Sequence, residues 1–147
     1  MNKTEQYEQL LPQAEALVAG ESEVIARMAN IAALLHREMG FWWTGFYRVI
    51  EGELVLGPFQ GPIACTRIAR GRGVCGTSWN ENRSVVVPDV EQFPGHIACS
   101  SESRSEIVVP VRDGDTIAAV LDIDSRSLAT FDDTDRHYLE RIADLIY

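Results

Sequence analysis

Three cysteines, at positions 65, 75 and 99, are the residues of this chain best suited to do chemistry. Any one of them alone could be a small apolar filler, since free cysteine is often buried. All three, however, fall in irregular, glycine-flanked segments and none in a helical stripe, which points to a reactive set. In Gly73-Val74-Cys75-Gly76 the backbone amides around the sulfur are open, and open amides or a helix N-terminus lower a thiol pKa. Cys99 sits in Ala98-Cys99-Ser100-Ser101, with a helix start expected just after it. A metal site competes with this reading. His96 and Cys99, with Cys65 and Cys75, would make a Cys3His zinc set. Structural zinc ligands come in pairs two to four residues apart, and only His96 and Cys99 are so spaced, so a thiol redox site is the stronger reading. Neither a metal nor a cofactor is expected.

Carboxylates come next. Asp122 and Asp124 flank Ile123 in a strand pattern, so both point to one face of a sheet while Leu121 and Ile123 point to the other. Glu106 begins the partner strand. A solvated outer face would explain the acids equally well, unless that face lies beneath the cysteine-bearing segments. Carboxylates in such a pocket bind an ammonium group by charge-assisted hydrogen bonds. Crowded together, they also push at least one pKa upward, leaving a carboxylic acid able to donate a proton near neutral pH. By alternation Trp43 and Tyr47 share one face and Trp42 takes the other, where core packing is its default. The Trp43 indole would make a good wall for a methyl group or a sulfur atom. The short basic cluster Arg67, Arg70 and Arg72 could orient an anion.

The elements that must hold these residues are readable from periodicity. Tyr7, Leu10, Leu11, Ala14, Leu17 and Val18 recur at helical spacing until Gly20. A second stripe, Val24, Ile25, Met28, Ile31, Ala32, Leu35 and Met39, ends at Gly40. Residues 41–50 and 54–59 read as a hairpin around Glu51-Gly52. Residues 107–111 and 116–124 read as another around Asp113-Gly114, a strong turn signal. Val85 to Val87 is a short strand stopped by Pro88. Residues 61–76 and 88–104 are irregular. The chain closes on a helix over 132–147, capped by Thr130 or Asp132, with Tyr138, Leu139, Ile142, Ala143 and Ile146 on its apolar face. This order implies one α+β domain over 1–147. Its central antiparallel sheet carries the N- and C-terminal helices on one face and a loop-rich, ligand-covering region on the other. Long structured loops usually carry function, so the pocket is expected there.

Composition narrows the classes further. The chain has 147 residues, 46% hydrophobic and 24% charged, enough for one real core. Its net charge of −9 repels phosphate backbones, which excludes nucleic acid as a partner. No apolar run approaches the roughly 18 residues of a membrane span, so no membrane partner is expected. The opening MNKTEQYEQL lacks the apolar stretch of a signal peptide, which predicts a cytoplasmic protein. Structural disulfides are rare in that compartment, another reason to read the cysteines as reactive.

The segments GPFQGPIACTRI, GRGVCGTSW, SVVVPDV, HIACSSESRSEIVVPV and VLDIDS, with cysteines spaced ten and then twenty-four residues apart, resemble the free methionine-R-sulfoxide reductases, a catalytic family built on a GAF domain. The resemblance runs from about Phe41 to Phe131. It implies a GAF-like fold and reduction of free methionine-R-sulfoxide. It casts Cys99 as the nucleophile that becomes a sulfenic acid, Cys65 as the resolving cysteine, and Cys75 as a third cysteine that can also pair with the nucleophile. A thioredoxin-like dithiol would restore the thiols. The resemblance further implies that Glu106, Asp122 and Asp124 bind the substrate, that Trp43 and Tyr47 wall its methyl-sulfur end, and that backbone amides take its carboxylate. Related proteins are often homodimers, and the apolar terminal helices could pair two copies. Which disulfide dominates and which acid donates the proton stay open at this point. The alternative is a non-catalytic GAF sensor of a small ligand, although the cyclic-nucleotide signature of that branch is missing.

Overall fold

Tyr7, Leu10, Leu11, Ala14 and Val18 form the buried stripe of α1 (Lys3–Ala19), whose first turn is capped by the Asn2 side chain accepting from the Glu5 amide. The computed structural model describes residues 1–96 and 99–147. Ile97 and Ala98, two positions of the HIACSSESRSEIVVPV segment, lie outside the described residues. Helix α2 (Val24–Met39) buries Met28, Ile31, Ala32, Leu34 and Leu35 and ends at Gly40 in the left-handed conformation glycine favours.

The sheet has six strands: β1 (Trp43–Ile50), β2 (Glu53–Gln60), β3 (Arg67–Ala69), β4 (Val85–Val87), β5 (Ser105–Asp113) and β6 (Thr116–Ser125). They lie in the order β3-β2-β1-β6-β5-β4, and every pair is antiparallel. Helix α3 (Gly73–Glu81) precedes β4, and α4 (Asp133–Ala143) follows β6. Alternation along the strands divides the sheet into two faces. On one face Phe46, Ile107, Val109, Leu121 and Ile123 pack under α1, α2 and α4. On the other, Trp43, Tyr47, Leu54, Val108 and Val120 pack under α3 through Val74, Cys75 and Trp79. The α+β sheet with its terminal helices on one face is therefore as expected.

Buried Asp135 ties the helical layer together. It completes a capping box with Asp132 at the start of α4. Its carboxylate also accepts from Lys3 Nζ at 2.6 Å and from the Tyr7 hydroxyl at 2.6 Å, which fastens α1 to α4.

Three expectations are corrected. The segment at 61–76 is not wholly irregular, because it contains β3 and the first turn of α3. Helix α3 has two glycines in nine residues and no side-chain cap, so its propensity is poor, and packing on the sheet stabilises it instead. No helix starts after Cys99. The Ser100 hydroxyl accepts from the Glu102 amide and favours a turn at that point. Trp42 is not on the core face opposite Trp43. It precedes β1 in a bend, where strand alternation does not apply, and it lies half-buried with Trp43 on the pocket side of the sheet.

Candidate active site

Between α3, the sheet face beneath it and the two cysteine-bearing segments lies a cleft of about 600 Å³ counting its open mouth. Strand alternation supplies the floor. In the β5–β6 ladder Glu106 pairs with Asp124 and Val108 with Asp122, so all three carboxyl groups point away from the helical core and into the cleft. Cys75, in the first turn of α3, descends onto them. Its Sγ and one oxygen each of Glu106 and Asp122 lie within 4.8 Å of one another. Glu106 is 6% exposed, Asp122 5% and Cys75 3%. Asp124 is half-buried and accepts from the Ser103 hydroxyl at 3.3 Å. One oxygen of Asp122, Oδ1, is buried without a hydrogen-bond partner. A buried polar atom in that state is costly, and it marks where a ligand's donor would be received.

Burial sets the electrostatics of this floor. It raises the pKa of Glu106 and of Asp124 well above the usual carboxylate range, and repulsion from Asp122 adds to both shifts. Burial raises Asp122 as well. Such a cluster retains protons that isolated carboxylates would have lost. The same surroundings overturn the expectation for Cys75. Its helix-terminal position would lower a thiol pKa, but burial and the charges of Asp122, Glu106 and Asp124 push it well above the ordinary value. At neutral pH Cys75 is a thiol, not a thiolate. His96 borders the cleft with its pKa lowered by burial, against a smaller opposing effect of Asp122.

The walls come from β1. Trp43 and Tyr47 are both buried and stacked, with ring centroids 6.1 Å apart. The indole nitrogen of Trp43 donates to the Pro62 carbonyl at 2.9 Å, and the Tyr47 hydroxyl donates to the Cys65 carbonyl at 2.9 Å. At the mouth Cys65 and Cys99 form a disulfide, with Cα atoms 5.5 Å apart and a separation of 34 positions in sequence. Cys75 is free and buried. The Cys3His zinc set is therefore not formed, because two of its three sulfurs are bonded to each other. Among the described residues, the donors that converge as metal ligands would are Cys75, Glu106 and Asp122.

All eight residues singled out from the sequence meet around this cleft: Cys75, Cys99, Trp43, Tyr47, Glu106, Asp122 and Asp124 line it, and Cys65 is bonded to Cys99 at its mouth. Sequence reasoning did not single out Ser103 or Trp42 for the site. Of the arginine cluster only Arg72 reaches the cleft. Arg67 pairs with Glu53 at 2.6 Å, and the Arg70 guanidinium lies 4.8 Å from the centre of the Trp79 ring. A position just before a helix in a glycine-rich segment was the available signal for Arg72.

Comparison with known proteins agrees with this geometry. Residues 21–146 match the GAF domain family. The chain is 57% identical over 99% of its length, and 92% of the relative's, to GAF domain-containing protein A of Dictyostelium discoideum. It is 48% identical to the free methionine-R-sulfoxide reductase of Escherichia coli, over 97% of this chain and 87% of that one. The solved structure of the free methionine-R-sulfoxide reductase of Neisseria meningitidis in complex with its substrate superposes with a TM-score of 0.97. It shares 51% identity, over 99% of this chain and 89% of that one. A floor of proton-retaining carboxyls beneath a Cys65–Cys99 disulfide, on a sheet of this topology and with relatives this similar, places the chain in the GAF-domain family of free methionine-R-sulfoxide reductases.

Proposed function

We propose that this chain reduces free methionine-R-sulfoxide to methionine with Cys99 as the nucleophile, and that the cleft above Glu106, Asp122 and Asp124 binds the substrate. The Cys65–Cys99 disulfide at the mouth of a cleft floored by three clustered carboxyl groups carries this reading.

The floor does two jobs. Burial raises all three carboxyls, so the cluster keeps protons that isolated carboxylates would have lost. The unpartnered Asp122 oxygen receives the ammonium group of a free amino acid. A carboxylic acid beside it protonates the sulfoxide oxygen as the S–O bond weakens. The Trp43 and Tyr47 rings wall the methyl-sulfur end, and backbone amides around the cleft take the carboxylate. A peptide-bound sulfoxide offers neither terminus. It would leave these polar groups unpaired at a cost of roughly 1–3 kcal/mol each.

The electron balance follows. The sulfur of Cys99 attacks the sulfoxide sulfur and takes its oxygen. Cys99 is oxidised by two electrons to a sulfenic acid, and the sulfoxide is reduced by two to methionine. Cys65 then attacks the sulfenic sulfur. The S–O bond breaks, the hydroxyl leaves as water with the proton of the Cys65 thiol, and the disulfide forms. A thioredoxin-like dithiol reduces that disulfide and is itself oxidised. Such a cycle requires a compartment that supplies dithiol reductants, which favours the cytoplasm. No helix among the described residues is long and apolar enough to cross a membrane.

A stereospecific assay tests this. With dithiothreitol as reductant the chain should consume free methionine-R-sulfoxide, leave the S epimer and peptide-bound sulfoxide largely untouched, and lose the reaction on Cys99→Ser. Normal turnover by Cys99→Ser would refute it.

A further inference from the structure

We propose that Trp43 and Tyr47 clamp the loop at residues 61–66 and so position Cys65 for bonding to Cys99, with the Tyr47 hydroxyl acting as a positioning group for the disulfide-forming half of the cycle. The role of Cys65 as resolving thiol rests on the function proposed above. The clamp rests on separate observations.

Both side chains present rings to the cleft, but both polar atoms are committed elsewhere. The Trp43 N–H is bonded to the carbonyl of Pro62 and the Tyr47 O–H to that of Cys65. These bonds fall three residues apart, one on each side of Ile63-Ala64. Gly61 tightens the entry to the loop. Its φ is +125°, and a Cβ there would sit 2.8 Å from both the Trp42 carbonyl oxygen and Trp43 Cδ1, so the chain runs directly over the indole. At the exit the Leu56 amide donates to the Thr66 carbonyl at 2.9 Å, and β3 then pairs with β2. Trp43 is itself fixed by stacking on Phe59 of β2, centroids 5.2 Å apart. The loop's own apolar side chains add little, because Ile63 is 91% exposed and only the small Ala64 packs on the cluster beneath. The backbone that carries Cys65 is thus held from below by two aromatic side chains of β1.

The consequence is entropic. Closing a disulfide between residues 34 apart requires two segments to meet, and a segment already held in place has less freedom to lose. Removing the Tyr47 anchor should lower the effective concentration of the Cys65 thiol at Cys99 without removing either sulfur.

The test is Tyr47→Phe, which keeps the ring and deletes the hydroxyl. In the reduced protein, hydrogen peroxide oxidises the Cys99 thiol to the sulfenic acid with release of water. No sulfoxide is needed, so substrate contacts of the ring do not enter. Capture by dimedone competes with attack by Cys65. Tyr47→Phe should resolve the sulfenic acid about tenfold more slowly, the factor expected for one lost hydrogen bond, and should give more dimedone adduct. Equilibrium of the 65–99 pair with glutathione should shift toward the thiols by a similar factor. Trp43→Phe should move both readouts in the same direction. Tyr7→Phe serves as control, since it deletes a buried hydroxyl bond elsewhere and should leave the glutathione equilibrium in place despite lower stability. A wild-type resolution rate and equilibrium in Tyr47→Phe, or an equal shift in Tyr7→Phe, would overturn the clamp. Because the glutathione equilibrium involves no substrate, this outcome is separable from failure of the sulfoxide assay.

Discussion

Replacing Asp124 by Asn should remove activity and yet stabilise the protein, increasingly so as pH rises. Asn is nearly isosteric and can keep the contact to the Ser103 hydroxyl that Asp124 now makes. What it cannot do is ionise. In the unfolded chain Asp124 titrates near its ordinary value of 3.8, whereas in the fold burial and Asp122 hold it well above that. Between those two values the native state keeps a proton that the unfolded state has lost. Stability therefore falls as pH rises through this window, by about 1.4 kcal/mol per pH unit for each such carboxyl. The wild-type contribution is fully present below about pH 4 and is lost as pH climbs through the native value. Asn removes the Asp124 share of this slope and relieves Glu106 and Asp122 of a like charge. Urea unfolding of both proteins at steps from pH 4 to pH 8 measures the effect. The two should be nearly equal at pH 4, and the variant should lead by about 1.4 kcal/mol more per unit within the window. For a chain of this length that is roughly 3–6 °C in Tm per unit. Turnover should fall by about a hundredfold or more if the carboxyl handles a proton in the reaction. A variant less stable than wild type at pH 7, or a gap that does not change with pH, would mean that Asp124 is an ordinary ionised carboxylate and that the floor holds no shared protons.

Cys65→Ser should release one methionine per chain in a rapid first turnover and then stop, with the Cys99 sulfenic acid accumulating. Quench-flow with dimedone labelling reads both quantities, and sustained turnover with a thioredoxin-type reductant would contradict the assignment. Asp135→Ala strands Lys3 and the Tyr7 hydroxyl and removes the capping box of α4. It should cost about 3–5 kcal/mol, seen in urea unfolding, while a loss under about 1 kcal/mol would show that α1 is not fastened by this network.

The parts of the fold that were legible in the sequence are those in which period and punctuation agree. The α2 stripe ends at Gly40, which adopts the left-handed cap, and β5 passes into β6 at Gly114-Asp115, one residue later than the Asp113-Gly114 turn expected, with Gly114 at positive φ. The parts that were not legible lack a local signal. Helix α3 begins after Arg72 with no cap and carries glycines at 73 and 76. A Cβ at Gly76 would press on the Gly71 amide, 3.1 Å away, so this glycine serves close packing at the expense of propensity. Strand β3 is three residues long and exists because β2 offers it an edge.

At the site, what could be read was residue type and face, and what could not was environment. Cys75 shows the difference. Its local sequence argues for a lowered pKa, and only the three-dimensional approach of Asp122, Glu106 and Asp124 reverses the sign. The carboxyls themselves were placed correctly because the core left no choice. Leu121 and Ile123 are fully buried against the helices. A one-residue slip of β6 would drive Asp122 and Asp124 into that apolar layer and pull both hydrophobic residues out of it. The penalty for that slip aims the acids at the cleft, so the residues that fix the orientation of the reactive floor are the apolar ones on the opposite face of the same strand.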